Sequence, residues 1–356
     1  MLRRKGAKLE LGNQSYAYAM GRIRAVEGRM LGRAQLDRMI EAKTAGEAVR
    51  MLRESGYGSP SGEPDPAAGA AAGSAGADSG GGYERLLEEE NGKLIRFLGE
   101  ISPEPLLLGI FLRKNDYHNL KVLLKGELSG RPDESLLSRA GLIPPQKLAE
   151  CVRERSFREL PRAMADGAED AIAAYQRAMD PQAIDVRLDR AAYAQMLAEA
   201  RELGNQFLVG LVEIYIDIAN IGAFMRVRAM KKDAGFLREA LLGGGRLDRA
   251  VFERCLADSA ESFVAALQAS PYAQLCEEGL KAWQASGTAT VFERLADDFV
   301  TAYAGTARLK PIGAELIVAY IVAKQAELKN ARIVLVGKTN AIPGDTIRER
   351  LRQPCA

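Results

Sequence analysis

Apolar residues recur at helical spacing along most of the chain. Tyr16, Met20, Ile23 and Val26 are spaced near 3.6 residues, as are Leu36, Met39, Ile40 and Met51-Leu52. This period turns one face of each segment toward a core. Helices are predicted over residues 9–57, again from Tyr83, and from Leu106 to Lys125 with an end at Gly126. Ser102-Pro-Glu-Pro105 opens the last of these, because proline fits a first helical turn where its missing N–H is not needed. Residues 130–190 read as shorter helices divided at Pro132, Pro144-Pro145, Pro161 and Pro181, and residues 191–232 as one long helical stretch. Gly243-Gly-Gly245 is a sharp turn. Helices run from Leu247 to Trp283 with a break at Ser270-Pro271, and Lys310-Pro311-Ile-Gly313 opens another from about Glu315 to Leu335. Ile333–Val336 is β-branched but continues the helical pattern of Tyr320, Ile321, Lys324 and Leu328. No stretch alternates with period two, so the fold class is all-α. Residues 58–82 are Gly, Ala, Ser and Pro-rich. Such a segment buries too little apolar surface to offset its chain entropy, and it is expected to be a disordered insertion.

One helical pattern recurs. Asp116-Tyr-His-Asn119-Leu120-Lys-Val-Leu123-Leu-Lys125, Asp217-Ile-Ala-Asn220-Ile221 with Arg226-Val-Arg228-Ala229, and Glu327-Leu-Lys-Asn330-Ala-Arg-Ile333 share an acid, an asparagine three residues later and flanking apolar positions. Arg22-Ile-Arg24-Ala25 offers a weaker fourth copy, with Tyr16 in place of the asparagine. The period of roughly 100 residues is too long for a solenoid. Other segments follow in the same order. Gly141-Leu-Ile-Pro, Gly245-Arg-Leu-Asp and Ile342-Pro-Gly344-Asp align after the motif helix. Glu47–Tyr57 matches Ser262–Tyr272. Tyr83-Glu-Arg-Leu86, Tyr193-Ala-Gln-Met196 and Phe292-Glu-Arg-Leu295 start a last helix in each unit. The pattern predicts three similar helical domains over 1–115, 116–216 and 217–356, the first interrupted by the insertion and the third carrying closing C-terminal helices.

A net charge of +2 with 27% charged residues argues against a dedicated nucleic-acid binder. Cys151, Cys255, Cys276 and Cys355 show no metal-ligand spacing and read as reduced thiols. Met1-Leu-Arg-Arg-Lys is followed by no apolar run, so no secretory signal is expected. Phe207–Met225 is the most apolar stretch, but it holds Glu213 and Asp217 and reads as a core helix rather than a membrane span.

Signatures of chemistry are weak. Val336-Gly337-Lys338-Thr339 resembles the end of a phosphate loop, but Arg332 stands where the first glycine belongs. Gly337 reads instead as a helix C-terminus. Asp297-Asp298 lacks a third acid and reads as a solvated face. The single His118 has no partner for nucleophilic chemistry and reads as structural. No catalytic, cofactor-binding or metal-binding residue is predicted, and no small-molecule substrate. Asn119, Asn220 and Asn330 read as buried side chains that hydrogen-bond a neighbouring helix, although a shared partner contact would use the same residues. Arg22, Arg24, Arg226 and Arg228, with Tyr16 and Tyr18, are the candidate partner interface. Asp116, Asn119, Lys125, Asp217, Asn220, Arg226, Glu327 and Asn330 are the structural repeat.

These motifs, with the tail Ile347-Arg-Glu-Arg-Leu351 and the Tyr16–Tyr57 region, resemble the C subunit of the V-type and A-type rotary ATPases, whose vacuolar counterpart is the d subunit. The resemblance spans nearly the whole chain apart from residues 58–82. It implies a funnel of three helical domains about a pseudo-threefold axis, with no active site or cofactor of its own. It also implies a cytoplasmic position, peripheral to the membrane, as a socket between the proteolipid ring and the central-stalk subunits of the ATPase head. Torque for ATP synthesis or hydrolysis, coupled to proton or sodium transport, would pass through it. Two other readings are an unrelated all-α helical-repeat adaptor and an all-α enzyme with a central cavity. The second needs a cluster of acids or a nucleophile–base pair.

Overall fold

The computed structural model describes residues 16–58, 82–310 and 312–354. The 58–82 insertion therefore lies almost entirely outside the described residues. The described residues are helical, with no strand among them. The chain divides into two compact bodies, one from the described parts of Met1–Pro103 and Lys281–Ala356, the other from Glu104–Leu280.

In the first body α1 spans 16–27. It is followed by α2 (Arg33–Glu41), α3 (Ala45–Glu54) and α4 (Gly82–Ile101). The chain returns to this body with α14 (Thr290–Gly305), a 3-10 turn (Thr306–Leu309), α15 (Ala314–Thr339) and α16 (Gly344–Arg350). Helices α2, α3 and α4 pack on α15. Leu36, Met39 and Ile40 of α2, Val49 and Leu52 of α3, and Leu86 and Leu87 of α4 meet Ala331, Val334 and Leu335 of α15, with Ile347 and Leu351 beyond. Two early helices start on sequence signals. Thr44 caps α3 by accepting from Glu47 N, and Gly32 N donates to Gln35 at the start of α2. Gly337 does not end α15, contrary to expectation. It lies inside the helix, where a Cβ would come within 2.5 Å of Ile347 Cδ1, so it admits α16. The Val336–Thr339 stretch is helical, and Lys338 Nζ donates to Ile40 O.

The second body holds α5 (Pro105–Ser129), a 3-10 turn (Glu134–Leu136), α6 (Pro145–Glu154), α7 (Arg162–Ala178), α8 (Pro181–Glu202) and α9 (Gln206–Ala229). It continues with α10 (Ala234–Ala240), α11 (Arg249–Cys255), α12 (Ala260–Ala266) and the first part of α13 (Ala273–Ser286). Two boundaries differ from the sequence reading. Helix α5 runs past Gly126 to Ser129 and ends at Gly130 in the left-handed region, φ 66°. Gly126 is small because Pro132 crosses it, with Pro132 Cα 2.9 Å from where a Cβ would stand. The stretch 191–232 is two helices, because Gly204 is left-handed and Asn205 caps α9 by accepting from Leu208 N. Helices α7 and α8 approach closely at Gly167, where a Cβ would be 2.7 Å from Ala191 Cβ. Phe224, Phe252 and Phe263 stack around α9 with centroids 4.0–6.0 Å apart.

Helix α9 has the length and apolar composition of a membrane span, yet 72% of its most apolar window is buried inside the protein. It is a core helix, as its two acids suggest. Cys151, Cys255 and Cys276 are buried free thiols. Burial pushes the Cys276 thiol up to about 12. Alkylation of the native chain at pH 8 is therefore expected to leave Cys276 unmodified, and mass mapping of the alkylated peptides checks this. Rapid labelling at Cys276 would refute its burial.

Candidate functional site: a repeated brace and the surfaces around it

The three asparagines of the repeat do one job. Asn119 Nδ2 donates to Ser138 O (2.8 Å) while its Oδ1 accepts from Ser138 N (2.7 Å). Asn220 does the same with Leu242 (3.0 and 2.7 Å), and Asn330 with Arg352 (3.1 and 2.8 Å). Each long helix thus holds both backbone polar groups of one downstream residue. Only an amide offers a donor and an acceptor side by side at this reach, which explains asparagine on otherwise apolar helices. The partner is the backbone of a following non-helical segment, not a neighbouring helix as the sequence suggested. The asparagines also realign the third copy. Arg352 is the counterpart of Ser138 and Leu242, whereas the sequence comparison aligned the segment Ile342–Glu349 with those that open at Gly141 and Gly245.

The acids add a second tie. Asp116 accepts from Ile143 N (3.0 Å), and Asp217 from Arg246 N and Leu247 N (3.1 and 3.0 Å). The preceding glycines are required, since a Cβ on Gly141 or Gly245 would fall within 2.2 Å of the carboxylate. Asp217 also accepts from Tyr272 OH (3.0 Å). In the third copy Glu327 accepts from Tyr57 OH, so the aligned tyrosines Tyr57 and Tyr272 both reach a motif acid. Burial raises the carboxyls of Asp116 and Asp217 above the usual range, against the pull of the backbone N–H donors.

A basic residue three positions before the acid was missed from sequence. Arg113 on α5 pairs with Glu199 of α8 at 3.0 Å and lies 3.9 Å from Asp116. Lys324 on α15 pairs with Glu327 (2.8 Å) and Glu90 of α4 (3.1 Å). The signal was present as a base at the same offset in two of three copies; Ile214 holds the place in the other. Burial would lower the Lys324 ammonium, but Glu327 and Glu90 outweigh it and leave it above its ordinary value. Lys125, the motif base, pairs with Asp185 of α8, beside Lys121 with Asp189.

Burial raises the phenols of Tyr57, Tyr117 and Tyr272, helped by Glu327 for Tyr57 and by Asp217 for Tyr272. It pushes Tyr193 and Tyr320 up to about 12. Above pH ~10 the unfolded chain loses these protons while the folded chain keeps them, so folding stability falls as pH rises. Lys324 acts in the same direction, its contribution intact below the unfolded lysine range and lost above it. The urea midpoint is expected to hold steady from pH 7 to 9 and to drop between 10 and 11. An unchanged midpoint at pH 11 would contradict the burial of these groups.

The predicted interface residues lie on α1 of the first body and α9 of the second. Tyr18 is 57% exposed on α1. Its hydroxyl accepts from Arg22 at 2.7 Å, and the Arg22 guanidinium lies 5.7 Å from the Tyr18 ring centre and 5.6 Å from that of Phe97. Tyr16 is half-buried, and Arg24 is exposed on the same helix. Arg226 is exposed near the end of α9. Arg228 is half-buried and donates to Cys255 O and Leu256 O (3.4 and 3.2 Å), closing the end of α11.

Asp297-Asp298 is not a solvated face. Asp298 is buried and accepts from Gln353 N at 2.7 Å, and Asp297 accepts from Arg352 Nε at 2.7 Å and Lys329 Nζ at 2.6 Å. The pair holds the tail that Asn330 also clasps. His118 is exposed and bonds Leu136 O at 2.9 Å, a structural role. Among the described residues no group of His, Cys, Asp and Glu has metal-binding geometry.

The family model described as the ATP synthase (C/AC39) subunit matches residues 19–350. The chain belongs to this family. The C subunit of the V-type sodium ATPase of Enterococcus hirae is 26% identical over 76% of this chain and 82% of its own length. The C subunit of the A-type ATP synthase is 24% identical in Methanocaldococcus jannaschii, covering 97% of this chain and 88% of the relative, and in Methanosarcina mazei, covering 98% and 96%. The C/AC39 protein is a non-catalytic structural subunit of the V/A-type rotary ATPase, a membrane-associated complex within which its partners lie.

Proposed function

We propose that the chain is the socket of the rotor. It would sit on the cytoplasmic face of the membrane, peripheral to it, and join the central-stalk subunits to the proteolipid ring. The observation that carries this reading is the repeated brace. A part that transmits torque needs long elements that do not slide against their connections. Asn119, Asn220 and Asn330 each lock a long helix to its following segment through two hydrogen bonds. The same repetition supports three related helical units, in the order 1–115, 116–216 and 217–356. The third motif helix, α15, is completed by helices from the first unit, which bring Tyr57 to Glu327 and Glu90 to Lys324.

Binding of the purified chain to detergent-solubilised proteolipid ring, and separately to the central-stalk subunits, tests the proposal. Binding to both is expected; binding to neither by a folded chain would refute it. Tyr16, Tyr18, Arg22, Arg24 and Arg226 are proposed to line partner contacts, with the exposed Arg226 and Arg22 as the probes. Charge reversal at Arg22 or Arg226 is expected to weaken assembly on the order of tenfold with an unchanged helical circular dichroism spectrum. Unchanged assembly in both would remove these residues from the interface. Arg228 makes a poor probe, since its reversal also strips the end of α11.

A further inference from the structure

Four arginines converge on one cavity of the first body. The cavity has a volume of about 470 Å³ and is lined by Arg33 of α2, Arg294 of α14, Arg348 of α16 and Arg352 of the tail, with Val291 and Leu351 as apolar wall. Three of the arginines are fixed by acids. Arg33 pairs with Asp37 at 3.2 Å, Arg348 with Asp37, Glu41 and Asp345 at 3.0–3.3 Å, and Arg352 with Asp297 at 2.7 Å. Those four acids are not among the described residues that line the cavity. They hold the guanidinium groups without filling the space in front of them. The acids of the lining are Asp298 and Glu349, so four positive groups meet two negative ones there. Arg352 is only 6% exposed, with Nε on Asp297 and Nη1 on Arg350 O. Arg294 is held loosely, its Nη1 3.4 Å from Asp298 Oδ2, while the other Asp298 oxygen accepts from Gln353 N.

We propose that this cavity binds a small multivalent oxyanion, a phosphate compound or a polycarboxylate. Guanidinium forks match the oxygens of either group, and an excess of positive charge in a concave site draws an anion in. A monovalent ion would leave one of the two excess charges unmatched, whereas a divalent or higher anion matches both. The volume falls within the range of small-molecule sites, roughly 300–1,000 Å³. A long polyanion fits less well. Glu41 and Asp345 are exposed beside Arg348, so the positive surface does not continue outward on that side. Bound among the four arginines, the anion would bridge α2, α14, α16 and the tail. It would fasten residues 351–354 in addition to the clasp of Asn330 on Arg352.

The test is calorimetric titration of the full chain with sodium pyrophosphate, and separately with citrate, at constant ionic strength. One saturable site per chain is expected for at least one of the two, and the tighter of them identifies the anion as phosphate or carboxylate. Arg294→Gln is expected to weaken binding about tenfold, because a charge-assisted contact is lost. Glu349→Gln removes an acid from the lining and is expected to tighten binding a few-fold. Arg162→Gln, at an exposed position of the second body, changes net charge as much as Arg294→Gln and is expected to leave binding unchanged. Saturable binding of neither anion would overturn the site, as would equal binding by Arg294→Gln and the parent chain. A matching loss in Arg162→Gln would also overturn it, since binding would then follow net charge alone. Should Arg294→Gln fail to fold, Glu349→Gln decides, and an unchanged affinity there would overturn the site.

Discussion

Asn220→Ala is expected to lower the stability of the body formed by Glu104–Leu280 by about 2 to 5 kcal/mol. The substitution strands the Leu242 N–H and C=O, both matched by the one amide. Each orphaned buried group costs on the order of 1–3 kcal/mol. In a body of this size the loss corresponds to roughly 5–15 °C in Tm. Asn220→Asp is the informative control. It keeps an acceptor for Leu242 N but sets a second oxygen, charged, against Leu242 O. It is therefore expected to be at least as damaging as alanine, although asparagine and aspartate have nearly one shape. Calorimetry on the three proteins decides this. If the aspartate variant melts with the parent chain, the brace does not hold the helix to its following segment. Asn119→Ala and Asn330→Ala are expected to behave alike, since the geometry is the same.

Lys324→Met is expected to cost about 3–5 kcal/mol, as when one member of a buried ion pair is removed. Lys324 lies between Glu327 and Glu90 and over the Tyr57 ring, 4.9 Å from its centre. Methionine keeps much of the volume but leaves two buried carboxylates facing each other without a cation. Converting Glu327 to Gln in the same chain removes one of those charges, so the double variant is expected to recover part of the loss. A double-mutant cycle measured by urea unfolding gives the coupling, expected above about 1 kcal/mol for groups in direct contact. Strict additivity would mean that the lysine serves neither acid. Lys324 ties α15 to α4, so the loss falls on the closure between early and late parts of the chain.

The helical class was legible because the apolar period of 3.6 runs through most described segments, and the prolines at 144, 145, 161 and 181 mark breaks that the structure keeps. The repeat was legible because the same asparagine solves the same local problem three times, and the family resemblance rested on those residues. Boundaries were less so. Gly126 and Gly337 read as helix ends but are positions of close packing. A glycine that admits a neighbour cannot be told from one that bends the chain until the neighbour is known. Asp297-Asp298 read as solvent-facing because nothing in its own helix shows that residues 352–353 return to it.

The sequence by itself determined the all-α class, the repeated acid and asparagine positions and the family, since these depend on local periodicity and on residue types that recur in order. The tertiary structure alone decided what each polar residue holds. Asn330 meets Arg352, Tyr57 meets Glu327 and Glu90 meets Lys324 through contacts between segments far apart in the chain. Such pairs leave no periodic trace. They arise only when buried donors and acceptors must be matched, and the matching is set by which helices the core brings together.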